Sequence, residues 1–117
     1  VVPVYEHPFG KELVSFEHRV KMCELMVKPL GERARVNTIE SELQSPVRTF
    51  ELFSALQSKH PDKSFAMLMG ADLLAERDRW YRFDDLQNLV KIVVVGRSGF
   101  ESTAGEDVYD VENWETL

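Results

Sequence analysis

Cysteine is almost missing: Cys23 stands alone among 117 residues. One thiol excludes an internal disulfide framework and fits a reducing cytoplasm. Long apolar runs are missing as well. No stretch approaches the roughly 20 residues needed to span a bilayer. No basic segment followed by an apolar one marks a signal peptide. Neither GxGxxG nor GxxxxGK(S/T) occurs, so a dinucleotide fingerprint and a P-loop are both lacking. No GxSxG elbow appears, and no histidine pair has the spacing of a zinc helix. Covalent catalysis has no evident nucleophile here.

Positive charge is absent from the last part of the chain. Glu101, Glu106, Asp107, Asp110, Glu112 and Glu115 have no Lys or Arg among them. They account for the whole net charge of −6, because 14 acids face 14 bases before residue 101. The body is therefore neutral, and binding of nucleic acid through a general basic surface is not expected. Residues 101–117 read as an acidic, weakly patterned tail whose composition permits disorder.

The apolar fraction of 44% and the charged fraction of 29% are those of a soluble globular chain, and the length suits one domain. The chain opens on the apolar run Val1-Val2-Pro3-Val4-Tyr5, without Met. This reads as the end of a strand whose beginning lies upstream, so a longer parent is expected. A loop with His7, Gly10 and Lys11 follows. Ser15 can cap a helix in which Phe16, Val20, Cys23 and Val27 share a face, and Pro29 and Gly31 end it. Residues 33–39 suit a strand. Ser45-Pro46 suits a helix start, with Phe50, Phe53 and Leu56 as the buried stripe and an end before Pro61.

The unbroken run 65–69 (Phe-Ala-Met-Leu-Met) reads as a strand buried on both faces. It stops at Gly70, and Asp72 follows at its carboxyl end. Residues 73–76 suit a helical turn, and Trp80 to Arg82 a loop. Asp84 can cap a short helix through Leu86 and Leu89. A second apolar strand, 92–95, ends at Gly96 with Arg97 next. Strands alternating with helices argue for a parallel sheet of the α/β class.

Several clusters carry two readings each. Gly70-Ala71-Asp72 is either a strand-end turn that lets a ligand approach, as at the carboxyl ends of α/β sheets, or an ordinary strand-to-helix turn capped by Asp72. The second is commoner on spacing alone. Trp80-Tyr81, set among Arg77, Arg79 and Arg82, either stacks on a flat heteroaromatic ring or packs under a loop, and packing is the usual role of aromatics. His7 and Lys11, and likewise Arg97, suit phosphate oxygens or plain solvent.

Taken in order, these pieces resemble the bacterial nicotinate-nucleotide adenylyltransferases of the nucleotidyltransferase superfamily. The pieces are His7-Pro8-Phe9-Gly10-Lys11; Phe16-Glu17-His18-Arg19 with Met22 and Leu25; Ser45-Pro46 with Thr49; Gly70-Ala71-Asp72-Leu73-Leu74; Trp80-Tyr81; and Val93-Val94-Val95 with Arg97. The likeness covers residues 1–100, which it implies are part of a Rossmann-like domain, a parallel sheet flanked by helices with its first strand absent. It implies adenylyl transfer from ATP to nicotinate mononucleotide, with Mg²⁺ accompanying ATP, in a cytoplasmic enzyme of NAD biosynthesis that binds no membrane; a homo-oligomer is left open. Carried over, Trp80 stacks on the pyridine ring, and the Trp80 and Tyr81 amides with Thr49 hold the nicotinate carboxylate. Gly70, Asp72 and Arg97 serve ATP, and His7 and Lys11 face phosphate as the catalytic pair.

The sequence also departs from the family pattern. It has neither the glycine-rich HxGH segment nor the SSTxxR segment; Ser102-Thr103 runs into Ala104-Gly105, and Arg48 stands where an aromatic often precedes Thr49. Another nucleotidyltransferase of the superfamily and a non-catalytic nucleotide-binding domain are the alternatives. These 117 residues alone are expected to be inactive.

Overall fold

The computed structural model describes residues 1–7 and 12–96 and the backbone of 108–111. The chain divides into two compact units, Val1–Arg48 and Thr49–Leu117.

In the first unit, helix α1 covers Phe16–Val27, and Ser15 is its cap, accepting a hydrogen bond from the His18 amide. Glu17 lies in the first turn, where the helix dipole favours an acid. Val27 is buried at the end of the expected stripe. Phe16 meets Tyr5 edge to face, with ring centroids 5.0 Å apart. The Arg19 guanidinium donates to the carbonyls of Val4, Tyr5 and Val14. After α1 a 3₁₀ turn, Lys28–Arg33, bends at Gly31, whose φ of 59° favours glycine.

The strands expected over 1–5 and 33–39 do not form. What remains is one rung: the Val1 ammonium donates to the Arg35 carbonyl at 2.8 Å, and the Asn37 amide donates to the Val1 carbonyl at 2.8 Å. Pro3 has no amide to continue a ladder, and a single rung cannot hold a strand. A 3₁₀ turn, Ile39–Glu42, follows instead of a plain loop.

Glu40 in that turn is 4% exposed and accepts the Tyr5 amide at 3.3 Å. Burial raises its carboxyl pKa above the ordinary value, against the lowering effects of the Tyr5 amide and the Arg19 charge. The folded state therefore holds its proton more tightly than the unfolded state does. Stability from this group falls as the pH rises from the unfolded value, near 4.5, through the raised one. A Glu40→Gln variant, which keeps an acceptor for Tyr5, is expected to flatten that part of the profile. Thermal midpoints from pH 4 to pH 7 check this, and an unchanged slope in the variant would refute it.

In the second unit, helix α2 covers Thr49–Lys59 and buries Phe53 and Leu56 as its spacing predicts. It starts later than Ser45-Pro46 suggests, and the Ser45 hydroxyl donates to the Glu6 carboxylate instead of capping. Strand β1, Ala66–Gly70, leads directly into the four-residue helix α3, Ala71–Leu74. A 3₁₀ turn, Arg77–Arg79, precedes helix α4, Phe83–Leu89. Strands β2, Lys91–Val95, and β3, Val108–Val111, complete a three-stranded parallel sheet in the order β1-β2-β3. Strand β3 falls in the acidic tail, where the sequence pattern suggested no element.

The parallel register pairs Met67 with Ile92 and Met69 with Val94. These four side chains share one face and are buried. Helices α3 and α4 contact the sheet, and α2 contacts α4. The run 65–69 is not buried on both faces: Ala66 is exposed, and Leu68 is 70% exposed. Among the described strands β1 lies at one edge of the sheet, and its apolar run carries no alternation that distinguishes the covered face from the open one.

Candidate functional site

Two carboxyl-end features stand where the sequence suggested them. Gly70 closes β1 and occupies the cap position of α3, and Asp72 lies in the first turn of that helix. The Asp72 carboxylate folds back over the glycine. A Cβ at residue 70 would lie 2.5 Å from Asp72 Oδ1, so a side chain there and the observed carboxylate position exclude each other. Glycine at 70 is thus tied to where Asp72 points.

Thr49 is the first residue of α2. The opening amides of an 11-residue helix have no intrahelical acceptor, and its N-terminal end carries partial positive charge. A carboxylate suits such a place, although Glu51 in the same turn competes for it.

Trp80 and Tyr81 lie in the connection between the 3₁₀ turn and α4, as expected of a loop. The Trp80 backbone is extended, and its amide donates to the Arg77 carbonyl at 3.0 Å. That amide is engaged in the turn, which leaves less of it for a ligand than its position in sequence suggested. The Trp80 ring meets Phe83 edge to face at 5.9 Å. Tyr81 meets Phe50 edge to face at 6.4 Å, so the aromatic loop lies against the first turn of α2. Arg82 completes the contact: its guanidinium sits 4.3 Å from the centroid of the Phe50 ring, and its Nε donates to Asp85 Oδ2 at 2.7 Å. The Asp85 carboxylate holds that guanidinium more firmly charged. Arg82, not Asp84, occupies the cap position of α4, with φ 52° and ψ 45°.

Beside the loop is an open groove of about 360 Å³, lined by Arg77, Asp78, Trp80, Arg82, Phe83, Asp84 and Asp85. One aromatic wall among charges of both signs suits a flat polar ring. Thr49, Gly70 and Asp72 do not line this groove. A larger open cavity, about 460 Å³, lies where β1 and β2 begin, beside Phe65 and Lys91. That is the opposite end of the sheet from Gly70 and Asp72, and ligands of parallel sheets bind at carboxyl ends.

His7 belongs to the first unit and is half-buried. Lys11 and Arg97 lie outside the described residues. Within the second unit the structure brings Thr49, Phe50 and the Trp80–Tyr81 loop together. Among the described residues no three His, Cys, Asp or Glu side chains converge to hold a metal ion. They do not by themselves fit a magnesium site. Sequence reasoning noted Arg82 only as a neighbour of the aromatics and gave no role to Asp85. The left-handed backbone that aims Arg82 has no signature in its residue type.

Residues 1–115 match the cytidylyltransferase-like family, and the chain belongs to it. Within that class it is similar to proteins named as probable nicotinate-nucleotide adenylyltransferases. One from Anaeromyxobacter dehalogenans is 43% identical over 108 residues, 90% of this chain and 57% of the relative. One from Myxococcus xanthus is 30% identical over 115 residues, 97% of this chain and 60% of the relative. The nicotinate-nucleotide adenylyltransferase of Bacillus subtilis is 29% identical over 94 residues. The chain thus spans somewhat over half the length of the first two relatives. A solved structure of the Plasmodium falciparum nicotinic acid mononucleotide adenylyltransferase complexed with NaAD has the same fold. Its TM-score is 0.75 at 19% identity, over 95% of this chain and 58% of that one. The Rossmann-like α/β class follows. No helix among the described residues is long and apolar enough to cross a membrane.

Proposed function

We propose that this chain carries the acceptor half of a nicotinate-nucleotide adenylyltransferase, a cytoplasmic enzyme of NAD biosynthesis. One observation carries the reading: the loop with Trp80 and Tyr81 lies against the first turn of α2 through the 6.4 Å Phe50–Tyr81 contact. That contact supports a site in which the aromatic loop works together with a helix end that favours a carboxylate. A nicotinate ring carries both features in one plane. Trp80 stacks on the ring, and Thr49 and the Tyr81 backbone take the carboxylate. Asp72, at the carboxyl end of β1, takes the ATP side.

In the whole enzyme a phosphate oxygen of nicotinate mononucleotide attacks the α-phosphorus of ATP. The new P–O bond forms as the bond to the β-phosphate breaks, and pyrophosphate leaves. No enzyme nucleophile is required, in keeping with the sequence. What these residues supply is position and charge. Magnesium would be held mainly by the phosphates of ATP, because a cation of this kind is commonly bound by substrate phosphates and few carboxylates.

Calorimetric titration with nicotinate mononucleotide tests the reading. Saturable binding is expected, and its absence up to millimolar ligand overturns the proposal. A second outcome concerns catalysis. With ATP and nicotinate mononucleotide together, these 117 residues are expected to release no pyrophosphate above the uncatalysed rate. Measured release would show that the phosphate-handling groups are already present here.

A further inference from the structure

The nicotinate reading uses Trp80 and Tyr81 but leaves unexplained what holds them in place. Their loop runs from a short 3₁₀ turn to the start of α4 and has no ladder to fix it. Arg82 follows immediately, and it is the one non-glycine residue among those described with a left-handed backbone. Conformations of this kind persist in L-residues only where the surroundings enforce them, and they gather at ligand clamps. Contacts to both neighbouring helices bear on this one. The guanidinium sits over the Phe50 ring in the first turn of α2, and Nε donates to Asp85 in the first turn of α4.

Both partners of the ion pair are about half exposed, at 49% and 52%. An exposed pair adds little to stability. Its geometric effect is larger, because it holds the fork of Arg82 in place while the guanidinium sits over the ring. Lys could supply the charge but neither the plane nor the Nε–H at that position. Phe50 serves both sides of the joint, since Tyr81 meets the same ring edge to face.

We infer that Arg82 is a positioning residue: it clamps the Trp80–Tyr81 loop to the first turn of α2 through Phe50 and Asp85, so that the aromatic ring and the carboxylate site are set at a fixed spacing before nicotinate mononucleotide arrives. The inference rests on the acceptor-site reading for its ligand, but the clamp itself can be tested without one.

The test uses the full 117-residue chain with Trp114→Phe, which leaves Trp80 as the sole tryptophan. Acrylamide quenching of Trp80 is measured without ligand, and nicotinate mononucleotide affinity is measured by calorimetry. Arg82→Ala and Phe50→Leu are each expected to raise the quenching constant and to weaken binding about tenfold, in line with a cation–π contact. Arg82→Lys should recover part of both. The double variant should lose less than the product of the two single effects, because the two side chains share one contact. A variant that only loses stability, while folded at the assay temperature, would move neither quenching nor affinity. Unchanged quenching in Arg82→Ala overturns the clamp, and so do effects of the two substitutions that multiply in the double variant. If the parent chain binds no nicotinate mononucleotide, the acceptor-site reading fails, and the quenching data alone decide the clamp.

Discussion

Replacing Trp80 by alanine is expected to weaken nicotinate mononucleotide binding by roughly 5- to 150-fold. Stacking of a base on an aromatic side chain contributes about 1–3 kcal/mol, and each 1.4 kcal/mol is a factor of ten. The ring stands in the groove beside Arg77 and Arg82, and nothing else in that lining offers a flat face of comparable area except the buried Phe83. Trp80→Phe keeps a smaller face and should lose less. Trp80 also touches Phe83, so part of the effect could come from the start of α4. Far-UV circular dichroism separates the two: an unchanged spectrum with lost binding assigns the loss to the ligand contact. Equal affinity in Trp80→Ala and the parent would remove Trp80 from the site.

The largest effect on folding is expected from Leu86→Ala. Leu86 is 0% exposed and sits in α4, which packs on β2 and α2. Its amide donates to the Arg82 carbonyl, and its carbonyl accepts from the Val90 amide, both at 3.0 Å. Truncation removes three buried carbon atoms and leaves a cavity, at about 2–5 kcal/mol. Native domains have only about 5–15 kcal/mol in total, so the second unit should be severely weakened. Leu68→Ala supplies the contrast. The same chemical change at a residue 70% exposed on β1 should stay within about 0.5 kcal/mol. Urea unfolding followed by circular dichroism compares them, and similar midpoints for the two variants would contradict the packing described here.

Much of the candidate site was legible as residue types in order. Gly70 and Asp72 announce themselves because an apolar run ends abruptly in a residue without a side chain and then an acid. Trp80 and Tyr81 announce themselves because large aromatics rarely stand among arginines without a reason. Thr49 was not legible from the spacing, which put the helix start at Ser45-Pro46; it entered only through the family resemblance, and the structure makes it the first residue of α2. Arg82 was not legible either, because its importance lies in a φ of 52° and in a ring 32 positions earlier in the chain. The engagement of the Trp80 amide with the Arg77 carbonyl was equally hidden, since a hydrogen bond within a turn follows from local backbone angles.

The sequence by itself determined the helices α1 and α2, the strands β1 and β2 and the parallel class of the sheet. These follow from short-range periodicity, from Ser15 as a cap and from glycines as stops, all of which act within a few residues. Tertiary structure alone decided which face of β1 is covered, because a continuous apolar run has no polar side to mark. It alone reduced the expected strands at 1–5 and 33–39 to one rung, because a strand exists only by virtue of its neighbour's hydrogen bonds. It drew β3 from an acidic segment for the converse reason: β2 offered an edge to pair with. And it set Arg82 over Phe50, since contact between residues far apart in the chain depends on how the elements pack and not on the spacing of the letters.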